Sequence, residues 1–570
     1  MYDDYSVLLN AKILRVPLDP SLWFTQEYFN ASGEFTYRPL TTLSYWIDVH
    51  LYGFNPWTLH LVNLLWHLGA CVLVWSLLTR LGFGEIPAFV GTLLFGVHPL
   101  PSEAVMCVTY RKDLLMVAGV LAAVRLALAG RHGWAYLVGA LALLSKESAL
   151  VLPLLVGFVL AADQQAGTFD SVLRFWKKPW LGYWLVISAY VLLRFGWMSH
   201  HADTLPPYPG GSLVTALGTG LWVWVHYLRS FFWPVALSPV HEFEAVVGLS
   251  DWRLWAALGL AGLGLGGVLR ARSRNLRLQA GLLWLGAGLV PALGLYPVAN
   301  PGAERFFYLP MFGAVMLVAE FCGWLVAALK AHRIWRKVAG GVALIAFAGF
   351  SFLTVRQSGV WADDLALWSA AYYHYPQSPK SQFGLGWALY QAGDSYAAKK
   401  RLDSLLRVSP WHPQALLGRA TLHLQEKEFG RALDLYAQLL RVQPENAGAW
   451  LGRGKALEGL GRRAEARSAY EQGLEFAPGG AELFVAIGDL LKEAGDWKGA
   501  QAQYYRAVSA NPAFAYSYNK LGIIQAAYVR DPVAAQGFFE KAVEVQPGSL
   551  AAREAMENLK RLEGLGHATD

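Results

Sequence analysis

The residues that could do chemistry stand in short polar motifs between long apolar runs. Asp3 and Asp4 are adjacent in M-Y-D-D-Y. A carboxylate in a partly dry pocket can take the proton of an attacking hydroxyl. A neighbouring carboxylate raises one pKa of the pair, which helps a base. Adjacent aspartates are also common in solvated N-terminal tails, and on chemistry alone that reading leads. Tyr37 and Arg38 follow in Y-R-P-L, and His98 and Glu103 end an apolar run in V-H-P-L-P-S-E-A-V. Arg111 and Lys112 open the next run in Y-R-K-D-L-L. They could pair a phosphate or snorkel to lipid headgroups. Lys146 and Glu147 lie between two short apolar segments in L-S-K-E-S-A-L. An ion pair at that depth is expensive, which favours function. Glu304 and Arg305 precede an aromatic belt in A-E-R-F-F-Y-L-P. His60, Asn63 and His67 share one helix face. They could hold a metal, but hydrogen bonding between helices is the favoured reading. No HExxH, CxxC or glycine-rich phosphate loop occurs.

Apolar elements must position these groups. The chain has 570 residues, 55% hydrophobic and 16% charged, which excludes disorder and a single soluble globule. The cysteines, Cys71, Cys107 and Cys322, are too few for a disulfide framework. About 20 helical residues cross a bilayer. Eleven runs are candidate spans, from Trp57–Leu78 to Val338–Val355, among them Ile86–Val105, Trp180–Trp197 and Ser212–Leu237. Residues 1–360 carry 25 basic and 18 acidic side chains, and residues 361–570 carry 23 of each. The positive excess therefore flanks apolar spans, as in a membrane protein. Nucleic-acid binding would instead require a basic stripe on a soluble domain.

Arg270, Arg272, Arg274 and Arg277, like Lys330, Arg333, Arg336 and Lys337, should face the cytoplasm. Counting spans from these and from Arg174, Lys177 and Lys178 puts the polar motifs on the outer face. The two counts agree if Ser212–Leu237 is a hairpin or an interfacial segment.

Beyond the spans the chain repeats. Pro376, Pro410, Pro444, Pro478 and Pro512 are 34 residues apart, and Pro547 follows at 35. Each repeat pairs small residues, Gly386/Ala398, Ala420/Ala432, Gly454/Ala466, Gly488/Ala500 and Gly522/Ala535. Tyr436, Tyr470, Tyr504 and Phe539 stand four residues after the second small residue. Small residues let paired helices approach, the aromatic fills the gap, and Pro ends the second helix. The pattern resembles five tetratricopeptide repeats over 377–547, with a capping helix and tail over 548–570. The fold expectation is all-α: a polytopic membrane bundle over 1–358, a linker over 359–376, then an α-solenoid.

The motifs Y-D-D-Y-S-V-L-L-N, Y-R-P-L-T-T-L-S, P-W-T-L-H-L-V-N-L-L-W-H, H-P-L-P-S-E-A-V, R-K-D-L-L, S-K-E-S-A-L-V-L-P and A-E-R-F-F-Y-L-P occur in this order before the repeats. Together they resemble the transmembrane and tetratricopeptide repeat-containing O-mannosyltransferase family of the GT-C superfamily. The resemblance implies a polyprenyl-phosphate sugar donor, such as a mannose donor. It implies inverting transfer to hydroxyls of an acceptor protein, on the outer or lumenal face. It makes Asp3 or Asp4 the base. Arg111, Lys112, Lys146 and Arg305 would meet the phosphate, His98, Glu103 and Glu304 would line the donor site, and Tyr37 and Arg38 the acceptor pocket. A divalent metal, Mg2+ or Mn2+, could assist. The repeats would bind the acceptor, and no nucleic acid is expected. In the family the acidic motif follows a first membrane helix, so such a helix is expected upstream of Tyr2. Pro101 stands where the family more often has His. Abundant Ala, Leu, Gly and Trp suggest a bacterial inner membrane, with the repeats and the site on its periplasmic face. Two other classes remain: a membrane-anchored repeat scaffold without catalysis, and a transferase acting on glycolipid or polysaccharide.

Overall fold

The computed structural model describes residues 8, 11–15, 17–25, 27–32, 36–163, 179–198, 208–271, 275–295, 300, 302–546 and 549–566. Asp3, Asp4, Asn10 and Glu34 lie outside them. Among the described residues every regular element is helical. The chain divides into two compact units, Met1–Pro376 and Gln377–Asp570.

The first unit is a helix bundle. Its main helices are α1 (Pro39–Tyr52), α2 (Pro56–Arg80), α3 (Glu85–Val97), α4 (Ser102–Met106), α5 (Arg111–Leu128), α6 (His132–Ser145), α7 (Leu152–Asp163), α8 (Pro179–Val191), α9 (Leu213–Phe232), α10 (Trp252–Ala271), α11 (Leu276–Leu289), α12 (Met311–Ala328), α13 (Arg333–Val360) and α14 (Asp364–His374). Helix α5 is the centre. It is apolar on every side from Leu114 to Val124, and packs against α2, α6 and α7. Helices α11 and α12 meet at Gly313, where an added Cβ would come within 2.6 Å of the Leu285 nitrogen. Only a residue without a side chain permits that approach.

Among the described residues, five helices are long and apolar enough to cross a membrane: α2, α10, α11 with its continuation to Leu293, α12 and α13. They mark a membrane protein. None of the most apolar stretch of α13 is buried by protein, as expected of a lipid-facing helix. The other expected spans are shorter or broken. Ile86–Val105 stops as a helix at Val97, and α4 restarts after His98–Pro101. Pro99 lacks an amide hydrogen, which ends the ladder there. In Trp180–Trp197, α8 gives way to a π-helical turn, Leu192–Trp197. Ser212–Leu237 is not a hairpin. Most of it is one helix, α9, capped by Ser212 Oγ, which accepts from the Thr215 amide, and ended ahead of Pro234. Residues 359–376, expected as a linker, contain α14, capped by Asp363.

The N-terminal segment closes one end of the bundle. Tyr28, Tyr37 and Tyr45 are buried there with Trp23, Phe29, Leu59 and Val108. The Tyr45 hydroxyl donates to the Val108 carbonyl at 2.8 Å, and that of Thr41 donates to the Ser145 carbonyl at 3.3 Å. These bonds fix Arg38 over the α6–α7 corner. Arg80 and Arg277 stand together at the other end. Arg80 pairs with Asp163 at 2.6 Å, and Arg277 donates to the Gly82 carbonyl at 2.8 Å.

The second unit stacks helix pairs from Pro379–Gln391 to Pro532–Val545, closed by Leu550–Gly566. The small-residue pattern sets the spacing. A Cβ on Gly454 would come within 2.1 Å of the Tyr470 ring, and Tyr470 is fully buried. In the first repeat Leu402 holds the aromatic's place against Gly386. The turn inside each helix pair takes a left-handed residue, and Gly393, Lys427, Gly461, Gly495 and Arg530 supply it. The last interval is 35 rather than 34, and the extra residue is absorbed in a π-helical turn, Gln525–Val529.

Candidate active site

At the end closed by the N-terminal segment, three cations converge, each with its own carboxylate. Arg38 precedes α1 and forks onto Glu147, with Nη2 to Oε1 at 2.8 Å and Nε to Oε2 at 3.3 Å. Lys146, in the corner between α6 and α7, donates to Asp113 Oδ1 on α5 at 2.5 Å. Arg305 lies on a helical turn, Glu304–Phe307, before α12. Its backbone amide donates to Glu103 Oε2 at 2.8 Å, and its guanidinium pairs with Oε1 of the same carboxylate. Rings hold the cations in place. The Arg305 guanidinium sits 3.9 Å from the centroid of Tyr110, and the Lys146 ammonium 4.7 Å from that of Phe306.

The electrostatics reflect this crowding. Burial pushes the Lys146 pKa down. Asp113 opposes that shift, while Arg305 and Arg38 lie close enough to add to it. Burial alone would raise the Glu147 carboxyl, but the Arg38 guanidinium overrides it and holds the group at about 2. Buried polar atoms with no partner among the described residues cluster on the same segments: the Tyr37 hydroxyl, Ser102 Oγ, Asp113 Oδ2 and Glu304 Oε2. Burying such groups costs free energy unless something hydrogen-bonds them. Desolvation also holds the Tyr37 phenol up at about 12, so it is a neutral donor.

Two expected site residues do not join the group. His98 Nδ1 accepts from the Leu100 amide at 3.2 Å, and Nε2 donates to the Phe231 carbonyl at 2.9 Å. Both ring nitrogens are spent on backbone, so His98 fixes the turn after α3. Arg111 is fully buried and bonded to Asp48 Oδ2 at 2.5 Å, Asn63 Oδ1 at 2.8 Å and the Leu59 carbonyl at 3.0 Å. Its donors are used in holding α1, α2 and α5 together. Lys112 is half-buried, 5.7 Å from the Tyr110 ring centroid. Glu103 holds Arg305 with both oxygens. Asn63 and His67 bond between elements, His67 to the Tyr308 hydroxyl at 2.8 Å and Asn63 to the Cys107 carbonyl at 3.2 Å.

The sequence places Asp113 among the outer-face polar residues but gives it no role, and it does not single out Asp48 or His241. Asp113 was visible in R-K-D, one residue from the basic pair. Asp48 and His241 pair across more than 60 residues and leave no spacing signature. Among the described residues, the one group placed like metal ligands is His423, Glu426 and Glu428, in the second unit. Glu426 pairs with Lys399 and Glu428 with Arg431, so cations already serve it. The second unit also holds a hollow of about 400 Å3, lined in part by Leu451, Lys455, Glu458, Val485, Asp489, Tyr516 and Lys520.

A tetratricopeptide-repeat family model matches residues 383–440, 420–481 and 485–549. Curated relatives match the chain across both units. A Caenorhabditis elegans protein O-mannosyl-transferase is 24% identical over 73% of this chain and 60% of its own length. The Homo sapiens protein O-mannosyl-transferases TMTC1 and TMTC4 are 24% and 26% identical, over 74% and 70% of this chain and 54% and 62% of their own lengths. The relatives are protein O-mannosyl-transferases. The chain thus resembles these O-mannosyl-transferases through both its bundle and its repeats, and it spans a little over half the length of those it matches. Among solved structures, a tetratricopeptide repeat protein from Parabacteroides merdae is 19% identical, with a TM-score of 0.32, over 44% of this chain and 93% of that one. A thermophilic repeat protein from Thermus thermophilus is 20% identical, with a TM-score of 0.29, over 32% of this chain and 100% of that one. An array of such repeats is a protein-interaction fold.

Proposed function

We propose that the chain is a membrane glycosyltransferase that moves mannose from a polyprenyl-phosphate donor to hydroxyl groups of acceptor proteins, on the outer or lumenal face. The observation that carries this reading is the convergence of Arg38, Lys146 and Arg305 at one end of an apolar bundle. A lipid-linked phosphate needs both: a groove for its tail and cations for its head. The relatives, protein O-mannosyl-transferases, supply the sugar and the acceptor class. In the reaction the acceptor oxygen attacks the anomeric carbon. The bond from that carbon to the phosphate oxygen breaks, and its electron pair leaves with the phosphate. The hydroxyl proton goes to Asp3 or Asp4. Arg38, Lys146 and Arg305 neutralise the departing charge. A single displacement inverts the anomeric centre. The hollow of the repeat array, with both charge signs beside Leu451 and Val485, suits an extended polypeptide better than an acidic glycan.

The test is glycopeptide mass spectrometry of envelope proteins from cells carrying the wild type or Asp3→Asn with Asp4→Asn. Hexose on Ser or Thr should vanish in the variant while expression is unchanged. An identical glycoproteome in the two strains would overturn the reading.

A further inference from the structure

Glu304 sits beside Arg305 but pairs away from it. Its Oε1 accepts from the Ser238 amide at 2.6 Å and lies 3.2 Å from His241 Nε2. On the far side of the imidazole, Nδ1 lies 3.2 Å from the Tyr375 hydroxyl. The direction of this chain follows from what its members can give. Oε1 already accepts from an amide, so His241 Nε2 donates to it. The neutral ring then leaves Nδ1 to accept from the Tyr375 hydroxyl. Burial holds the His241 imidazole at about 4. Burial also raises the Glu304 carboxyl well above the usual range, and the Glu103 carboxylate adds to that shift. The contact is therefore a neutral hydrogen bond rather than an ion pair. The carboxyl proton is left on Oε2, an atom that is buried and has no partner among the described residues. The Glu304 side chain as a whole is 1% exposed.

We propose that the Tyr375–His241–Glu304 chain presents Glu304 Oε2–H as an uncharged hydrogen-bond donor to an oxygen of the lipid-linked phosphate held beside Arg305. This rests on the donor-phosphate reading above. The charge balance explains why the donor is neutral. Arg38, Lys146 and Arg305 already face Glu147, Asp113 and Glu103. A fourth carboxylate would repel the phosphate, whereas a protonated carboxyl adds a hydrogen bond without adding negative charge. Glu304 is thus a binding residue, and His241 and Tyr375 are positioning residues that orient its free edge.

Purified full-length protein in detergent is titrated with undecaprenyl phosphate and, separately, with undecaprenol, which has the tail without the phosphate. The wild type should prefer the phosphate. Glu304→Leu should weaken phosphate binding about tenfold and leave the alcohol unchanged. Glu304→Gln, which keeps an uncharged donor in place, should bind within about threefold of wild type. His241→Gln, which keeps a donor at Nε2, should hold affinity better than His241→Phe. Phosphate binding by Glu304→Leu equal to wild type would overturn the proposal, and so would Glu304→Gln binding as weakly as Glu304→Leu. If Glu304→Leu does not fold, Glu304→Gln and the two His241 variants decide the matter, and equal binding by His241→Gln and His241→Phe refutes the chain. A wild type that binds phosphate and alcohol alike would overturn the donor-phosphate reading and this proposal together.

Discussion

The two units use charge in opposite ways. In the bundle Lys146 and Asp113 are paired with side chains 5% and 1% exposed, and Arg305 and Glu103 with 14% and 2%. In the repeat array Arg463 and Glu493 pair at 66% and 50%, and Arg467 and Glu471 at 53% and 51%. The distances are similar, but the energetics differ. An exposed pair contributes little because water and salt screen it. A buried pair must recover several kcal/mol of desolvation per ion, and an apolar pair of the same shape often does as well. The bundle's pairs are therefore poor stability devices and good anchors. They hold cations at fixed positions in a dry site, where a ligand's phosphate would meet them. The array obtains its stability from Tyr436, Tyr470, Tyr504 and Phe539 filling the spaces beside small residues, and its charges keep its surface wet.

The strongest way to break this contrast is at Lys146. Lys146→Met leaves Asp113 buried and unpaired, and should cost about 3–5 kcal/mol of unfolding free energy in detergent. Lys146→Met with Asp113→Leu should recover most of that loss and still bind no lipid phosphate. A single variant that costs under about 1 kcal/mol would mean the pair is solvated. Next in size is the array's packing. Gly454→Ala drives a methyl into the Tyr470 ring and should cost about 1–3 kcal/mol. Gly537→Ala, where nothing lies within 4 Å, should stabilise by about 0.5–1 kcal/mol. Equal effects at the two glycines in thermal melts would remove the packing explanation.

The array was legible because its signal is local. A period of 34, paired small residues and a trailing aromatic each act within one helix pair, and even the 35-residue interval has a physical image in the Gln525–Val529 turn. The bundle was legible as apolar helices and, for its five long helices among the described residues, as spans, but not in how the shorter runs break. Hydropathy runs straight through the break at His98–Pro101, although it does set Lys146 between two short runs. Within the site, Arg38, Lys146 and Arg305 were visible as cations in polar motifs. His98 and Arg111 carried the same signal, yet they spend their groups on backbone carbonyls and on Asp48. Residue type alone does not separate a group that faces a ligand from one that ties helices together. His241 and Tyr375 reach the site from distant segments, and no spacing announces them.

A smaller effect tests whether the array's turns follow one geometry. Lys427 has φ 62° where its counterparts Gly393, Gly461 and Gly495 have 88°, 74° and 88°. A left-handed conformation costs a residue with a Cβ about 1–2 kcal/mol. Glycine's greater unfolded-state entropy takes back about 0.5–1 kcal/mol. Lys427→Gly should then stabilise the chain by about 0.5–1 kcal/mol in urea unfolding. A destabilised variant would mean that the lysine side chain makes a contact worth more than its strain.

The smallest effect is the sharpest control on the opening contrast. A double-mutant cycle on Arg463 and Glu493, each changed to Ala, should give a coupling of about 0–1 kcal/mol that fades in 0.5 M salt. The two residues sit on different helices, 30 positions apart, so intrinsic helix propensity cancels in the cycle and only their interaction remains. A coupling well above 1 kcal/mol, or one indifferent to salt, would mean that this pair is held as rigidly as those of the bundle. Burial would then no longer explain why the two units treat their charges differently. A coupling near zero, set beside a large loss at Lys146, leaves desolvation as the term that separates them.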